Sequence, residues 1–286
     1  MQVDPLRNIA EGICRHPDYE RAVLYYVERK LVQRRALGFG NQAMSSLPAS
    51  HVMVFLLLLY YEGAGSAGAG GATSTRLLAI CEARRTCGSR ALRTILALGQ
   101  MAGLVRRVRS SYDKRVHVYE PTRKLIDESL HIVAQTIGAL DYLVRERNFA
   151  GLPYTDRDFV PNLIKTSIRA YVDTGIPIVE YYPQMHELLV LKGGTSSAAA
   201  LVRAQLAGEK PPSTYQIGQQ FRISATQVRN IIECAQSHGL VTVSPQGQLI
   251  EAGELVALYK KYFARELALY VKFTLGLEDY FLAVQQ

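Results

Sequence analysis

The chain reads as mainly α with small β-ribbons: two units of helix, turn, helix and wing, joined by long helices. Three observations lead there. Apolar residues recur at helical spacing over most of the 286 residues. The triplet Gly-Leu-Val occurs twice, at Gly103 and at Gly239, each time after a predicted helix pair and before a predicted two-stranded ribbon. The order helix, turn, helix, Gly-Leu, strand, turn, strand, long helix then repeats at an offset of 136. At that offset Arg93 meets Arg229, Ile95 meets Ile231, Leu96 meets Ile232 and Gln100 meets Gln236.

The elements follow in order. Residues 4–35 suggest two short helices broken near Pro17, with Leu24, Val27 and Leu31 on one stripe. Residues 38–48 read as a linker. Residues 50–62 are apolar nearly all round, which fits a buried helix or a buried strand. The Gly/Ala/Ser tract 63–72 reads as a flexible loop. Two helices over 73–84 and 89–102 and strands over 104–109 and 115–119 complete the first unit. A long helix then opens at Pro121-Thr122. Its Ile126, Leu130, Val133, Ile137, Leu140 and Val144 are spaced 4, 3, 4, 3, 4, a heptad seam that wants a partner helix. A last long helix is expected over 253–282, with Leu255, Leu258, Tyr262, Leu269, Phe273, Leu277 and Tyr280 on its apolar face. The division that results is 1–48, N-terminal helices; 49–121, the first unit; 122–183, connecting and dimer-type helices; 184–252, the second unit; and 253–286, the C-terminal helix.

Composition narrows the function. Apolar residues make up 48% of the chain, enough for a real core, and 33 Lys and Arg stand against 25 Asp and Glu, a net charge of +8. A basic protein of this size suits a polyanion, either nucleic acid or an anionic membrane. The best apolar run, 52–61, is half of what a membrane span needs, about twenty residues. The opening stretch carries Asp4 and Arg7 and reads as no signal peptide. Four cysteines are too few for a disulfide scaffold, so a cytoplasmic, reduced protein with no membrane partner is expected.

The basic charge belongs to one segment. Residues 76–124 hold twelve Lys and Arg against three acids, a net of +9, more than the whole chain's +8. On a helix over 89–102, Leu92, Ile95, Leu96 and Gly99 share one face. Arg90, Arg93, Thr94, Ala97 and Gln100 share the other, without a single acid. Guanidinium forks on such a face can reach guanine edges or phosphates in a major groove. Arg106, Arg107 and Arg109 lie on the outgoing strand and Lys114 and Arg115 on the return, around a polar tip, 110–113. A ribbon with arginine near its tip can lie along the backbone or enter the minor groove.

The run from Gly103 to Thr122 resembles the wing of the multiple-antibiotic-resistance regulator (MarR) family. Asp113-x-Arg115 and Pro121-Thr122 occupy its characteristic places. The resemblance covers about 70 residues. It implies winged helix-turn-helix dimers that regulate transcription, often released by small phenolic or oxidising ligands. It also implies that Ser89, Arg90, Arg93 and Thr94 contact DNA from the recognition helix, and that Arg115 is the wing arginine, held by Asp113. Family members are about half this length, whereas here two copies share one chain.

The second copy differs in charge. Helices over 213–221 and 224–238 turn Val228, Ile231, Ile232 and Ala235 inward and Thr226, Arg229, Asn230, Glu233 and Gln236 outward. Glu233 takes the place of Ala97, the ribbon 240–249 has no basic residue, and residues 213–251 are net zero. Weak or absent DNA binding is expected there, because non-specific affinity comes largely from neutralised phosphates.

Other motifs carry less. Gly63, Gly65 and Gly68 match G-x-G-x-x-G, but no acid follows near 85–95 to hold a ribose. Cys81 and Cys87 lack partners for zinc, so no metal and no cofactor are expected. Cys87 precedes the recognition helix, where a thiol can be activated, although small buried residues explain all four cysteines as simply. The six histidines form no catalytic constellation, so no enzyme is expected. Tyr25, Tyr26, Tyr60, Tyr61, Tyr181 and Tyr182 could line a pocket for a small aromatic effector. The expected function is regulation of transcription by duplex DNA binding through the first unit, as a homodimer paired by the long helices. The alternative is a winged-helix scaffold that binds protein or RNA without sequence-specific DNA readout.

Overall fold

The computed structural model describes residues 4–36, 40–63, 71–110, 113–175, 178–246 and 248–283. The fold is mainly helical with two small antiparallel sheets. Helices α1 (Arg7–Arg15) and α2 (Tyr19–Ala36) are separated at Pro17, where the expected break falls. The expected linker is partly helical, with a single turn α3 (Gly40–Ala43) ahead of α4 (Leu47–Glu62). Pro48 sits in the first turn of α4, where its missing N–H costs nothing. Of the two readings open for the apolar run 50–62, the helix is the one that forms. Nine residues of α4 are buried, so it runs through the core rather than along it. Most of the Gly/Ala/Ser tract, with Gly65 and Gly68 of the G-x-G-x-x-G match, lies outside the described residues.

The first copy continues with β1 (Ala72–Thr73), α5 (Ser74–Ala83), α6 (Ser89–Met101), β2 (Val105–Arg109) and β3 (His117–Pro121). The sheet order is β1-β3-β2, all antiparallel. Helix α7 (Arg123–Gly138) follows, ending in a 3-10 turn over Ala139–Tyr142. Short helices α8 (Leu152–Thr155) and α9 (Phe159–Leu163) come next, and α9 passes through a π turn, Ile164–Ile168, into α10 (Arg169–Thr174).

The second copy comprises α11 (Pro183–Val190), α12 (Gly194–Leu206), α13 (Thr214–Phe221), α14 (Ala225–Ser237) and the ribbon β4 (Thr242–Val243) with β5 (Leu249–Glu251). Ser213 and Ser224 each form a capping box with the Gln three residues on.

The repeat is exact where it matters. Helices α6 and α14 have thirteen residues each, at the 136-residue offset. Gly103 (φ +69°) and Gly239 (φ +68°) end them in the left-handed conformation that favours glycine. Leu104 N–H donates to Gly99 O at 2.9 Å, and Leu240 N–H to Ala235 O at 2.8 Å. The two caps are the same device.

Two expectations about the long helices need correction. The C-terminal helix is not continuous: α15 (Gly253–Tyr270) passes through a π turn, Val271–Leu275, and stops at Gly276 (φ +61°) before α16 (Glu278–Ala283). The helix behind the seam is shorter than expected: α7 ends at Gly138, so Leu140 falls in the 3-10 turn and Val144 beyond it, and the seam finds its partners within the chain. Val133, Ile137, Leu140 and Val144 are buried and Ile126 and Leu130 half-buried, with α2, α8 and α15 packed against this helix. One continuous core of buried apolar residues runs from Leu6 to Phe281. No helix among the described residues is long and apolar enough to cross a membrane.

Candidate nucleic-acid interface

The first copy is held together by backbone chemistry that the sequence supplies locally. Thr73 caps α5 by accepting from Arg76 N–H at 3.2 Å. The turn to α6 closes with Thr86 N–H on Cys81 O at 2.7 Å and puts Arg85 at φ +50°. Gly99 lets α6 approach α4 and β2: a Cβ there would stand 2.8 Å from Met53 Cε and 3.2 Å from Val105 Cγ2. Thr122 Oγ1 donates to Gly103 O at 2.6 Å and ties the ribbon's exit to the end of α6.

Against this frame the cationic face stands clear. Leu92, Leu96 and Gly99 are buried and Ile95 half-buried. Ser89, Arg90, Arg93, Thr94, Ala97 and Gln100 are exposed. The Thr94 hydroxyl donates to Arg90 O at 3.1 Å, which leaves its oxygen lone pairs facing out. On the ribbon, Arg107 opposes Tyr119 and Arg109 opposes His117, so both arginines share one face. Lys114 and Arg115 are exposed at the return. Among the described residues none of Arg90, Arg93, Arg107, Arg109, Lys114 and Arg115 makes an ion pair.

Arg106, by contrast, is paired. It opposes Glu120 on the ribbon's other face, with its guanidinium 2.8 Å from the carboxylate. It stays exposed, but its charge is matched, so it is not an unpaired cation offered to DNA. Asp113 supports the ribbon's return differently from what the resemblance implies. Its carboxylate accepts from the Arg115 backbone N–H at 2.9 Å, an Asx turn, rather than from the guanidinium. The tip residues Ser111 and Tyr112 lie outside the described residues. Two more of the segment's twelve bases serve the fold: Lys124 donates to Ala102 O at 3.0 Å, and Arg123 pairs with Asp127 at 2.8 Å.

In the second copy the expected faces also form. Val228, Ile231, Ile232 and Ala235 are buried; Thr226, Arg229, Asn230, Glu233 and Gln236 are exposed. An acid therefore stands where the first copy has Ala97.

Two hollows lie away from these faces. A cavity of about 170 Å³ is enclosed by α2, α4, α7 and α15, lined by Tyr26, Lys30, Arg34, His51, Tyr262 and Glu266 among others. Burial holds the Lys30 ammonium down to about 8 and pushes the Glu266 carboxyl up, partly offset by their mutual attraction. Of the expected tyrosines only Tyr26 lines this cavity; Tyr181 and Tyr182 border a separate groove with Arg7, Arg15 and Arg265, and Tyr25, Tyr60 and Tyr61 line neither. Burial also raises Cys81, to about 12, and Cys87, the latter partly offset by a hydrogen bond with Cys81. None of the four cysteines is in a disulfide.

The chain matches no protein-family model, no curated protein and no solved structure.

Proposed function

We propose that the chain binds duplex DNA and regulates transcription, as two winged helix-turn-helix units of which the first is the reader. One observation carries the reading. An acid-free helix face bearing Arg90 and Arg93 is followed directly by a ribbon with four further unmatched cations, Arg107, Arg109, Lys114 and Arg115. Under this reading α6 enters the major groove and the ribbon follows the backbone or minor groove. The three-stranded sheet β1-β3-β2 supports it, because α5 packs on β1 and β3 and α6 on β2, which joins helix pair and ribbon in one unit. The second unit, with Glu233 outward and no base on its ribbon, serves packing or protein contact.

Fluorescence anisotropy with a random duplex at 50 and 200 mM salt tests this. Four to six phosphate contacts would reduce affinity by roughly 10²–10³ over that range. Tight binding that ignores salt, or preference for single-stranded RNA over duplex, would favour the rival scaffold reading.

The central cavity supports a second element of the proposal, a small aromatic effector. Tyr26, Phe55, Tyr171 and Tyr262 line it with aromatic rings and Lys30, Arg34 and Glu266 with polar groups, and a cavity near this volume accommodates about one ring. A molecule there would press on α4, against which α5 and α6 pack.

A further inference from the structure

We infer that Cys234, His238 and Glu187 form a zinc site that pins α14 to α11. Cys234 and His238 are one helical turn apart at the end of α14, so both project to the same side. Glu187, on α11, faces them across the contact between the two helices. One donor atom from each lies within 4.8 Å of the other two, and His238 Nε2 is 2.9 Å from Glu187 Oε2. A tetrahedral zinc needs its nitrogen, oxygen and sulfur donors roughly 3.3–3.6 Å apart, so the cluster closes on the ion with shifts of tenths of an ångström to about one ångström.

The chemistry of the set selects the metal. One thiolate, one imidazole and one carboxylate suit borderline-soft zinc far better than the hard cations magnesium or calcium. The Glu187 side chain is 60% exposed, so the cluster is open to solvent and a water can take the fourth position. A cysteine thiol is ordinarily protonated at pH 7, so binding forms a Zn–S bond and sends the thiol proton to solvent; His238 joins as neutral imidazole and Glu187 as carboxylate.

The site is peculiar to the second copy. At the 136-residue offset, Cys234 and His238 correspond to Leu98 and Ala102, which ligate nothing. The copy without a basic face is thus the one that carries the ligands, and the inference stands whether or not the first copy reads DNA.

Cobalt(II), then zinc, is titrated into the full, chelator-stripped chain. Expected are one cobalt per chain, a near-ultraviolet thiolate-to-metal band with visible bands of four-coordinate intensity, displacement by zinc, and release of one proton per metal at pH 7. Cys234→Ser should abolish the thiolate band, and His238→Ala and Glu187→Gln should each weaken zinc at least tenfold. Cys87→Ser should change nothing. Circular dichroism checks that each variant is folded. No binding at micromolar metal, or a thiolate band that survives in folded Cys234→Ser, overturns the site.

Discussion

His51 shows how one residue ties pH to stability. Its ring forms a triangle with Phe55 and Tyr171, each centroid 5.8 Å away, and burial lowers it to about 4 from the usual 6.5. Glu180 opposes that shift and His186 adds to it. The folded state resists protonation between pH 6.5 and 4, where the unfolded chain accepts a proton. Stability conferred by neutral His51 is therefore complete above pH 6.5 and lost as pH falls toward 4, by a few kcal/mol at most. Denaturant midpoints of wild type and His51→Gln across pH 4–7 should converge at the acid end; parallel curves would assign the acid slope to other groups.

Under the proposed function, two arginines separate base reading from backbone contact. Arg93 lies mid-helix on the exposed face of α6, so Arg93→Ala should relax preference at one base pair by about 1–3 kcal/mol. Arg115 lies at the return of the ribbon, so Arg115→Ala should weaken all sequences alike and flatten the salt slope by about one. Arg106→Ala is the contrast, because its charge already belongs to Glu120, and it should leave the slope nearly unchanged. Wild-type affinity in both Arg93→Ala and Arg115→Ala would remove the first copy as the reader. Arg106 also marks a limit of sequence. Alternation places it outward, but only the register reveals the carboxylate opposite. Glu187 meeting Cys234 and His238 is a contact of the same long-range kind, as is Lys30 meeting Glu266.

Among elements, the helices with strong periodicity and local caps were legible. Thr73, Ser213 and Ser224 start helices where the apolar spacing begins, and Gly103 and Gly239 end them. What escaped was either too short to show a period, as in α3, or decided by tertiary packing, as in the π turns and the stop at Gly276. The packing of α1 on α16 is a case of the latter. A Cβ on Gly12 would lie 2.1 Å from Phe281 O, and backbone has no flexible end to yield. Gly12→Ala should separate these helices and cost about 1–3 kcal/mol, read as a lower denaturation midpoint. An unchanged midpoint would mean that the terminal contact contributes nothing to global stability.

At the scale of the whole molecule, the question is how one basic copy reaches useful affinity. Surplus apolar surface on the long helices is one argument for a dimer, but the chain itself covers most of that surface, leaving Leu258 and Phe273 half-buried and Tyr280 exposed. The seam on α7 packs against α2 and α8, and α15 packs against α1, α2 and α12. What still argues for a second chain is charge: one copy is net +9 and the other net zero, so each chain offers one cationic head. A two-fold pair could engage half-sites about one helical turn, roughly 34 Å, apart. With most of the helix faces already occupied, pairing should be driven by DNA rather than precede it. Light scattering should then give about the chain mass, 31.8 kDa, in the absence of DNA and two chains on a palindromic duplex. A stable dimer without DNA would show that another surface pairs the chains. One chain per palindrome at saturation would mean that the internal repeat itself supplies the two-fold geometry, with the neutral copy taking the second half-site.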